Sequence, residues 1–220
     1  MSNLSIPPAI AKIAPDGNLT PRQKRRFMID MLLRGTKIGA GSSHEFIKRR
    51  TATNLFPDLV SILKNLNWAI IGDVATRAYM PERMTKDLDI LVHEKDGDTA
   101  IKKLEGAGYK LISKLAIPGV VMQSPEGIEL DVLFGNTNWI DESFKNTKKD
   151  EAGYPVIGLP YLVLLKMSAQ RTQDWADVSR MLGWADDSAL DEVRAVVKRY
   201  APEDMEDLES LIFIGKKEKE

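Results

Sequence analysis

Residues Thr85 to Val92 read TKDLDILV, and their apolar half has the composition of a strand that is buried in a core. Asp87 and Asp89 lie where this strand begins. Side chains two positions apart on a strand point to the same face, so the two carboxylates would be separated by only about 7 Å. Ionising the second acid is then costly unless a cation or water screens both charges. The stretch therefore predicts either a cation site or a solvated strand end.

A third acid, Asp131, lies in a similar apolar segment, IELDVLFG. If its strand pairs beside the first, Asp87, Asp89 and Asp131 would converge on one divalent cation. Magnesium prefers carboxylate oxygens and keeps water or phosphate in its other positions. Two such ions can activate a hydroxyl and neutralise a leaving pyrophosphate. The simpler alternative is that Asp87 caps a strand end while Asp131 faces solvent.

Upstream of the acidic strand, the sequence has the layout of a phosphate-binding turn. The apolar run WAII (68–71) predicts a strand, Gly72 a break, and the residues from Val74 onward a helix. Such a turn directs backbone N–H groups at a phosphate. Arg83, between this helix and Asp87, is a candidate bidentate phosphate donor, and the alternative for it is an ordinary surface ion pair.

Residues 158–183, GLPYLVLLKMSAQRTQDWADVSRMLG, predict one long helix. At 100° per residue, five of its polar side chains fall within about 100° of each other. They are Lys166, Gln170, Gln173, Asp174 and Asp177. A lysine and two acids on one face would place the positive charge of the lysine against a triphosphate. The acids would then lie near the nucleobase or the acceptor. The alternative is a solvated face with weak ion pairs inside the helix.

The overall composition is that of a globular protein, with 43% hydrophobic and 29% charged residues among 220. Its formal net charge of −1 argues against a globally basic nucleic-acid binder, but the charge is unevenly distributed along the chain. Residues 1–66 carry eleven bases against four acids, whereas residues 183–220 carry six bases against eleven acids. The basic end favours an RNA partner through counterion release, and a solvated helix face is the alternative.

The chain has no cysteine, which excludes disulfides and thiolate metal sites. No apolar run approaches the ~20 residues that span a bilayer, and the first residues, MSNLSIPPAI, do not resemble a secretory signal. We therefore expect no membrane partner and a cytoplasmic location.

Strands and helices alternate in the middle of the chain, and helices are expected on both sides. Residues 1–60 predict a basic helical N-terminal segment that begins with an extended lead-in over residues 1–20. Helices are expected over residues 21–34 and, with an interruption at Pro57, over residues 44–66. A core follows over residues 61–145, and a C-terminal helical segment over residues 150–215. The expected fold class is α+β, an α/β arrangement with a mixed sheet.

Three segments together resemble the nucleotidyltransferase superfamily. They are IIGDVATRAYMPERMTKDLDILV (70–92), IELDVLF (128–134) and the predicted helix over 158–183. The sequence is most similar to the minimal and AbiEii-like bacterial members, many of which are toxins of toxin–antitoxin or phage-defence systems. The resemblance covers roughly residues 55–183. It implies a small mixed sheet with metal-binding carboxylates on adjacent strands.

The resemblance implies a role for each matching residue. Asp87 and Asp89 would hold Mg²⁺ or Mn²⁺, Asp131 would aid metal binding or act as base, and Lys166 would steady the nucleotide phosphates. Arg83 and Thr85 would support the loop, whereas Asp174 and Asp177 would line the acceptor side. The implied nucleotide-binding positions are Gly72, Asp73, Arg83, Thr85, Asp174 and Asp177.

The implied activity is transfer of an NMP from an NTP such as ATP to a hydroxyl of RNA, protein or a small molecule such as an aminoglycoside. A cognate antitoxin is an implied partner. One departure is Gly72-Asp73, where family members usually have Gly-Gly or Gly-Ser. Asp73 would act as a helix N-cap but would also repel a triphosphate. The alternative is therefore a non-catalytic nucleotidyltransferase-fold protein that binds a partner or nucleic acid. A purely structural α/β protein would leave the three acids unexplained.

Overall fold

A computed structural model describes residues 5–20, 23–24, 27, 58–81, 88–150 and 153–219. These residues belong to two compact units. The sheet unit contains the described residues between 58 and 158. The helical unit combines the described residues before 28 with those from 159 onward. Three predicted site residues, Arg83, Thr85 and Asp87, lie outside the described residues. So do most of the helix expected over 21–34 and the part before residue 58 of the helix expected over 44–66.

The described residues form seven strands and nine α-helices. The strands are β1 (Trp68–Ile71), β2 (Leu88–His93), β3 (Lys110–Lys114), β4 (Gly119–Gln123), β5 (Glu129–Gly135), β6 (Lys148–Lys149) and β7 (Pro155–Val156). The helices are α1 (Pro8–Ala11), α2 (Leu59–Ile62), α3 (Gly72–Thr76), α4 (Gly97–Gly106), α5 (Ile140–Lys145), α6 (Leu159–Ala169), α7 (Thr172–Trp184), α8 (Asp187–Tyr200) and α9 (Met205–Lys219).

All seven strands belong to one mixed sheet in the order β3-β4-β5-β2-β1-β7-β6. The pairs β2–β5 and β1–β7 are parallel, and the other pairs are antiparallel. The predicted α/β class with a mixed sheet is therefore confirmed. The sequence pattern also predicts β1, β2 and β5, whereas β6 and β7 have two residues each and are too short to produce a pattern.

The two faces of β2 carry different kinds of side chain. Leu88, Ile90 and Val92 of β2 are fully buried on one face. On that face Gly97 of α4 lies so close to the ring of Phe134 that an added Cβ would be 3.1 Å from it. Side chains alternate along a strand, so Asp89 points to the opposite face.

The helical unit contains α1 and α6 to α9. The backbones of α7 and α9 approach closely, because an added Cβ on Gly183 would overlap the carbonyl oxygen of Gly215. The Ser179 hydroxyl also donates to the Leu211 carbonyl at 3.2 Å. Within the described residues, none of the helices combines the length and apolar composition that a membrane crossing requires.

Two expectations about helices are wrong. The single helix expected over residues 158–183 is two helices, α6 and α7, because Gln170 adopts a left-handed backbone conformation with φ of 54°. A left-handed residue after the last helical turn is a common way to end a helix, and glycine usually occupies it. The extended lead-in over residues 1–20 is interrupted by α1, whose Ile10 is fully buried.

Candidate functional site

Two of the predicted metal-binding carboxylates lie side by side in the sheet. Asp89 of β2 and Asp131 of β5 are register partners in a parallel pair of strands. Neighbouring strands are about 4.8 Å apart, and register partners point to the same face. Both residues are half-buried. The expected pairing of the two strands is therefore confirmed, and it brings Asp89 and Asp131 to one face of the sheet.

Alternation of apolar and acidic residues explains why the acids share this face. In β5, Leu130 and Val132 flank Asp131 and are 1% and 0% exposed. In β2, the neighbours of Asp89 are likewise buried. A shift of one residue would move the acids into the core and the apolar side chains out of it, so burial fixes the register.

Gly72 borders the carboxylate of Asp89 directly. It follows β1, whose last residue, Ile71, is the register partner of Asp89. Gly72 has a φ of 62°, a conformation that L side chains rarely adopt. An added Cβ would also overlap Asp89 Oδ2. Two independent constraints therefore require glycine here, and one of them is the position of the Asp89 side chain.

Asp73 follows this glycine in the first turn of α3, which has only five residues. The N-cap of α3 is Ile71, so the interpretation of Asp73 as an N-cap residue is wrong. Its backbone carbonyl accepts a hydrogen bond from the Thr76 hydroxyl at 2.7 Å. Its half-buried side chain adds a negative charge one residue away from the glycine that borders Asp89.

The donor types on this face suit a hard divalent cation. Magnesium and manganese prefer carboxylate oxygen, which Asp89 and Asp131 supply in register. Among the described residues, no three His, Asp or Glu side chains are grouped closely enough to hold a metal ion. The third predicted ligand, Asp87, lies outside those residues, as do Arg83 and Thr85. The roles of all three acids in metal binding stay predictions.

The helical unit brings together the other predicted site residues. Lys166 of α6 extends its Nζ to Asp174 Oδ1 at 3.0 Å and to Asp177 Oδ2 at 2.8 Å, both on α7. The three residues are 4%, 3% and 1% exposed. Breaking such a buried ion pair by removing one partner typically costs about 3–5 kcal/mol, because a charge stays buried without compensation. This cluster joins the two helices across the break at Gln170.

Arg171 completes the cluster from the solvent side. Its Nε donates to Asp174 Oδ2 at 2.6 Å, and its side chain is 58% exposed. The residue was not among the predicted site residues. Its i,i+3 spacing to Asp174 is the sequence signal that would have found it.

The interpretation of this segment as a solvated helix face is wrong. Asp174 and Asp177 are buried, and their partner Lys166 lies on a different helix, so the ion pairs hold two helices together. Two further polar residues were predicted to share this helix face. Gln173 is exposed, and Gln170 lies at the break between the helices. A helix of constant 100° steps therefore does not describe how these side chains meet.

Comparisons with known proteins give matches among solved structures alone. No family model matches the chain, and no curated protein matches it. A lincosamide antibiotic adenylyltransferase, LnuA, with lincomycin bound has a TM-score of 0.33 and 21% identity, covering 49% of this chain and 78% of that one. ANT(2")-Ia in complex with adenylyl-2"-tobramycin has a TM-score of 0.39 and 15% identity, covering 70% and 92%.

A solution structure of the antibiotic-resistance factor ANT(2'')-Ia has a TM-score of 0.38 and 13% identity, covering 89% of this chain and 94% of that one. All three TM-scores are below 0.5. The function proposed for the chain therefore depends on its own residues.

Proposed function

We propose that the chain is a metal-dependent nucleotidyltransferase that moves an NMP from an NTP to an acceptor hydroxyl. The hydroxyl would attack the α-phosphate in line, and pyrophosphate would leave. The observation that carries the proposal is the register pairing of Asp89 with Asp131 beside Gly72. Two like charges on one face of a sheet are unfavourable unless another group screens them, and grouped carboxylates of this kind are typical ligands of a divalent cation.

The roles of the individual residues follow from their chemistry. Asp87, Asp89 and Asp131 would hold the metal. A bound divalent ion would neutralise negative charge on the leaving pyrophosphate. Instead of aiding metal binding, Asp131 could act as the base that takes the proton from the acceptor hydroxyl. Gly72, Asp73, Arg83 and Thr85 would surround the nucleotide.

The acceptor classes that we propose are RNA, protein and small molecules. The basic composition of residues 1–66 favours RNA among them. A toxin role with a cognate antitoxin, and a cytoplasmic location, are further predictions of the family resemblance.

Transfer of a labelled nucleotide tests the proposal. The protein is incubated with each α-labelled NTP and manganese, and is offered total RNA, lysate protein and aminoglycosides in separate reactions. We expect label on one acceptor class with the unaltered chain and none with Asp89→Asn or Asp131→Asn. Glu129→Gln is the matched control, because Glu129 is an exposed acid two residues before Asp131 on the same strand. Full transfer by Asp89→Asn would exclude the proposed metal site.

Asp73 favours a second candidate function, a non-catalytic protein of the same fold that binds a partner or nucleic acid. A carboxylate in the first turn of α3 would repel a triphosphate. A ligand that binds only the folded state raises the melting temperature. An enzyme should therefore be stabilised by an NTP only when magnesium or manganese is present. No stabilisation by any NTP with either metal would support the second candidate.

A further inference from the structure

We propose that the β3 edge of the sheet is a docking surface for an acidic, extended segment of another protein, which would pair with β3 as an additional strand. The inference concerns the sheet unit alone. It does not depend on the proposed nucleotidyltransferase function.

β3 is exposed along its whole length. All five residues of Lys110–Lys114 are exposed, and among the described residues no strand pairs with the outer side of β3. An edge strand of this kind presents backbone N–H and C=O groups that the sheet itself does not use. Extended peptides bind such edges by continuing the ladder of backbone hydrogen bonds.

Exposed apolar side chains are concentrated at this edge. Leu111, Ile112 and Ile117 are 48%, 53% and 55% exposed, and Ile117 lies in the turn between β3 and β4. Only two other large apolar side chains are exposed in the described part of the chain, Val60 and Trp184. A group of exposed apolar side chains is typical of a surface that a partner covers.

The charge of this edge decides which partner fits. Lys110 and Lys114 lie at the two ends of β3, and residues 106–125 contain no acid. Neither lysine forms an ion pair with a described residue. A strand with acids on both sides of an apolar centre would therefore match β3 in charge and in apolar contact.

A second copy of the chain is a poor match for β3. Pairing of two β3 strands would gather their lysines along one edge without an acid between them, and like charges that face each other destabilise a sheet. The other edge strand, β6, consists of Lys148 and Lys149, so it would repel β3 as well. Residues 28–57, which lie outside the described residues, carry five bases against two acids and do not match either.

The competing explanation is that β3 is only protected against pairing. Lysines and irregular register both protect edge strands, and the register of β3 with β4 shifts between Leu111 and Ser113. Protection accounts for the lysines, but it does not require three exposed apolar side chains beside them.

Peptide binding to the full chain tests the proposal. The probe is a short fluorescent peptide with two glutamates at each end of a centre in which valine and threonine alternate, and anisotropy measures its binding. One control peptide has lysines in place of the glutamates, and another has proline in place of its central valine. We expect no binding of the basic peptide. Binding of the proline peptide should be at least about tenfold weaker than that of the probe, because proline removes a backbone donor.

Charge reversal on the protein locates the bound peptide. Lys110→Glu combined with Lys114→Glu should weaken binding of the acidic peptide about tenfold or more. Lys148→Glu combined with Lys149→Glu is the matched control, because these lysines are exposed on the other edge strand, and it should change the affinity less than about twofold. Lys110→Gln combined with Lys114→Gln serves if the reversed variant does not fold.

An absence of binding by the acidic peptide would overturn the proposal. So would equal binding of the proline peptide, or equal weakening by the β3 and β6 variants. A dimer in sedimentation that the β3 variant abolishes would overturn it in favour of a second copy. Binding to phosphatidylserine vesicles without binding of the peptide would overturn it in favour of a membrane surface. None of these outcomes depends on whether the chain transfers an NMP.

Discussion

Two pairs of aspartates in this protein differ in burial and in the elements that position them. Asp174 and Asp177 are buried between helices, and Lys166 and Arg171 lie within 3.0 Å of their oxygens. Asp89 and Asp131 are half-buried on adjacent strands, and each has the other as its register partner. The first pair is neutralised by the cations of the fold. The pairing of β2 with β5 sets the positions of the second pair.

We propose that the same residue type serves stability in the helical unit and ligand binding in the sheet unit. Opposite charges in a buried cluster make the folded state depend on every member. Like charges directly opposite on a sheet are destabilising unless something screens them. Removing an acid should therefore destabilise the helical unit, whereas in the sheet unit it should remove ligand binding at little cost in stability.

The largest effect is expected from Lys166→Met, which leaves two buried carboxylates without their common cation. We expect a loss of about 3–5 kcal/mol in the free energy of unfolding, measured by urea denaturation. Lys198→Met, at an exposed lysine of α8, should change it by no more than about 0.5 kcal/mol. A loss as small as that of the control would contradict the structural role of the cluster.

A smaller loss is expected from Gly72→Ala. The left-handed backbone alone costs a non-glycine residue about 1–2 kcal/mol, and the overlap with Asp89 Oδ2 adds to it. Gly127→Ala is a matched control, because Gly127 has a φ of 85° and nothing within 4 Å of an added Cβ. The excess loss in Gly72→Ala over the control measures the contact with Asp89. Equal losses would show that the carboxylate moves aside freely.

Replacing an acid of each pair tests the comparison directly. Asp177→Asn should lower the free energy of unfolding by about 1–3 kcal/mol, because Lys166 loses one charged acceptor but keeps Asp174. Asp131→Asn should change the free energy of unfolding by no more than about 0.5 kcal/mol. It should also abolish the rise in melting temperature that magnesium and an NTP produce together. Similar losses in both variants would remove the distinction between the two pairs.

The smallest effect concerns Asp204, an acid with acidic neighbours in the short 3-10 turn before α9. Burial raises its pKa above 3.8, and the charges of Glu203 and Asp207 raise it further. The unfolded chain therefore ionises first, so stability is lost as pH rises from about 3.8 through the higher folded pKa. Asp204→Asn should raise the melting temperature at pH 7 but not below the unfolded pKa. An equal rise at pH 3 would exclude ionisation as the cause.

The strands and the acidic face were predictable because their pattern is local. Buried residues alternate with Asp89 and Asp131 within segments of six and seven residues, and a period of two is characteristic of strands. The helix break was not predictable in this way. Neither glycine nor proline lies between Ser168 and Asp174, and the left-handed position is occupied by Gln170.

The amino-acid order alone is enough to predict a mixed sheet and to direct two acids to one face of their strands, because side-chain alternation is a property of the local backbone. It does not reveal that Asp89 fills the space above Gly72, that Lys166 is buried between two helices, or that Arg171 is exposed. Those features come from packing between segments far apart in the chain, where burial and the positions of neighbouring charges decide which acids are compensated.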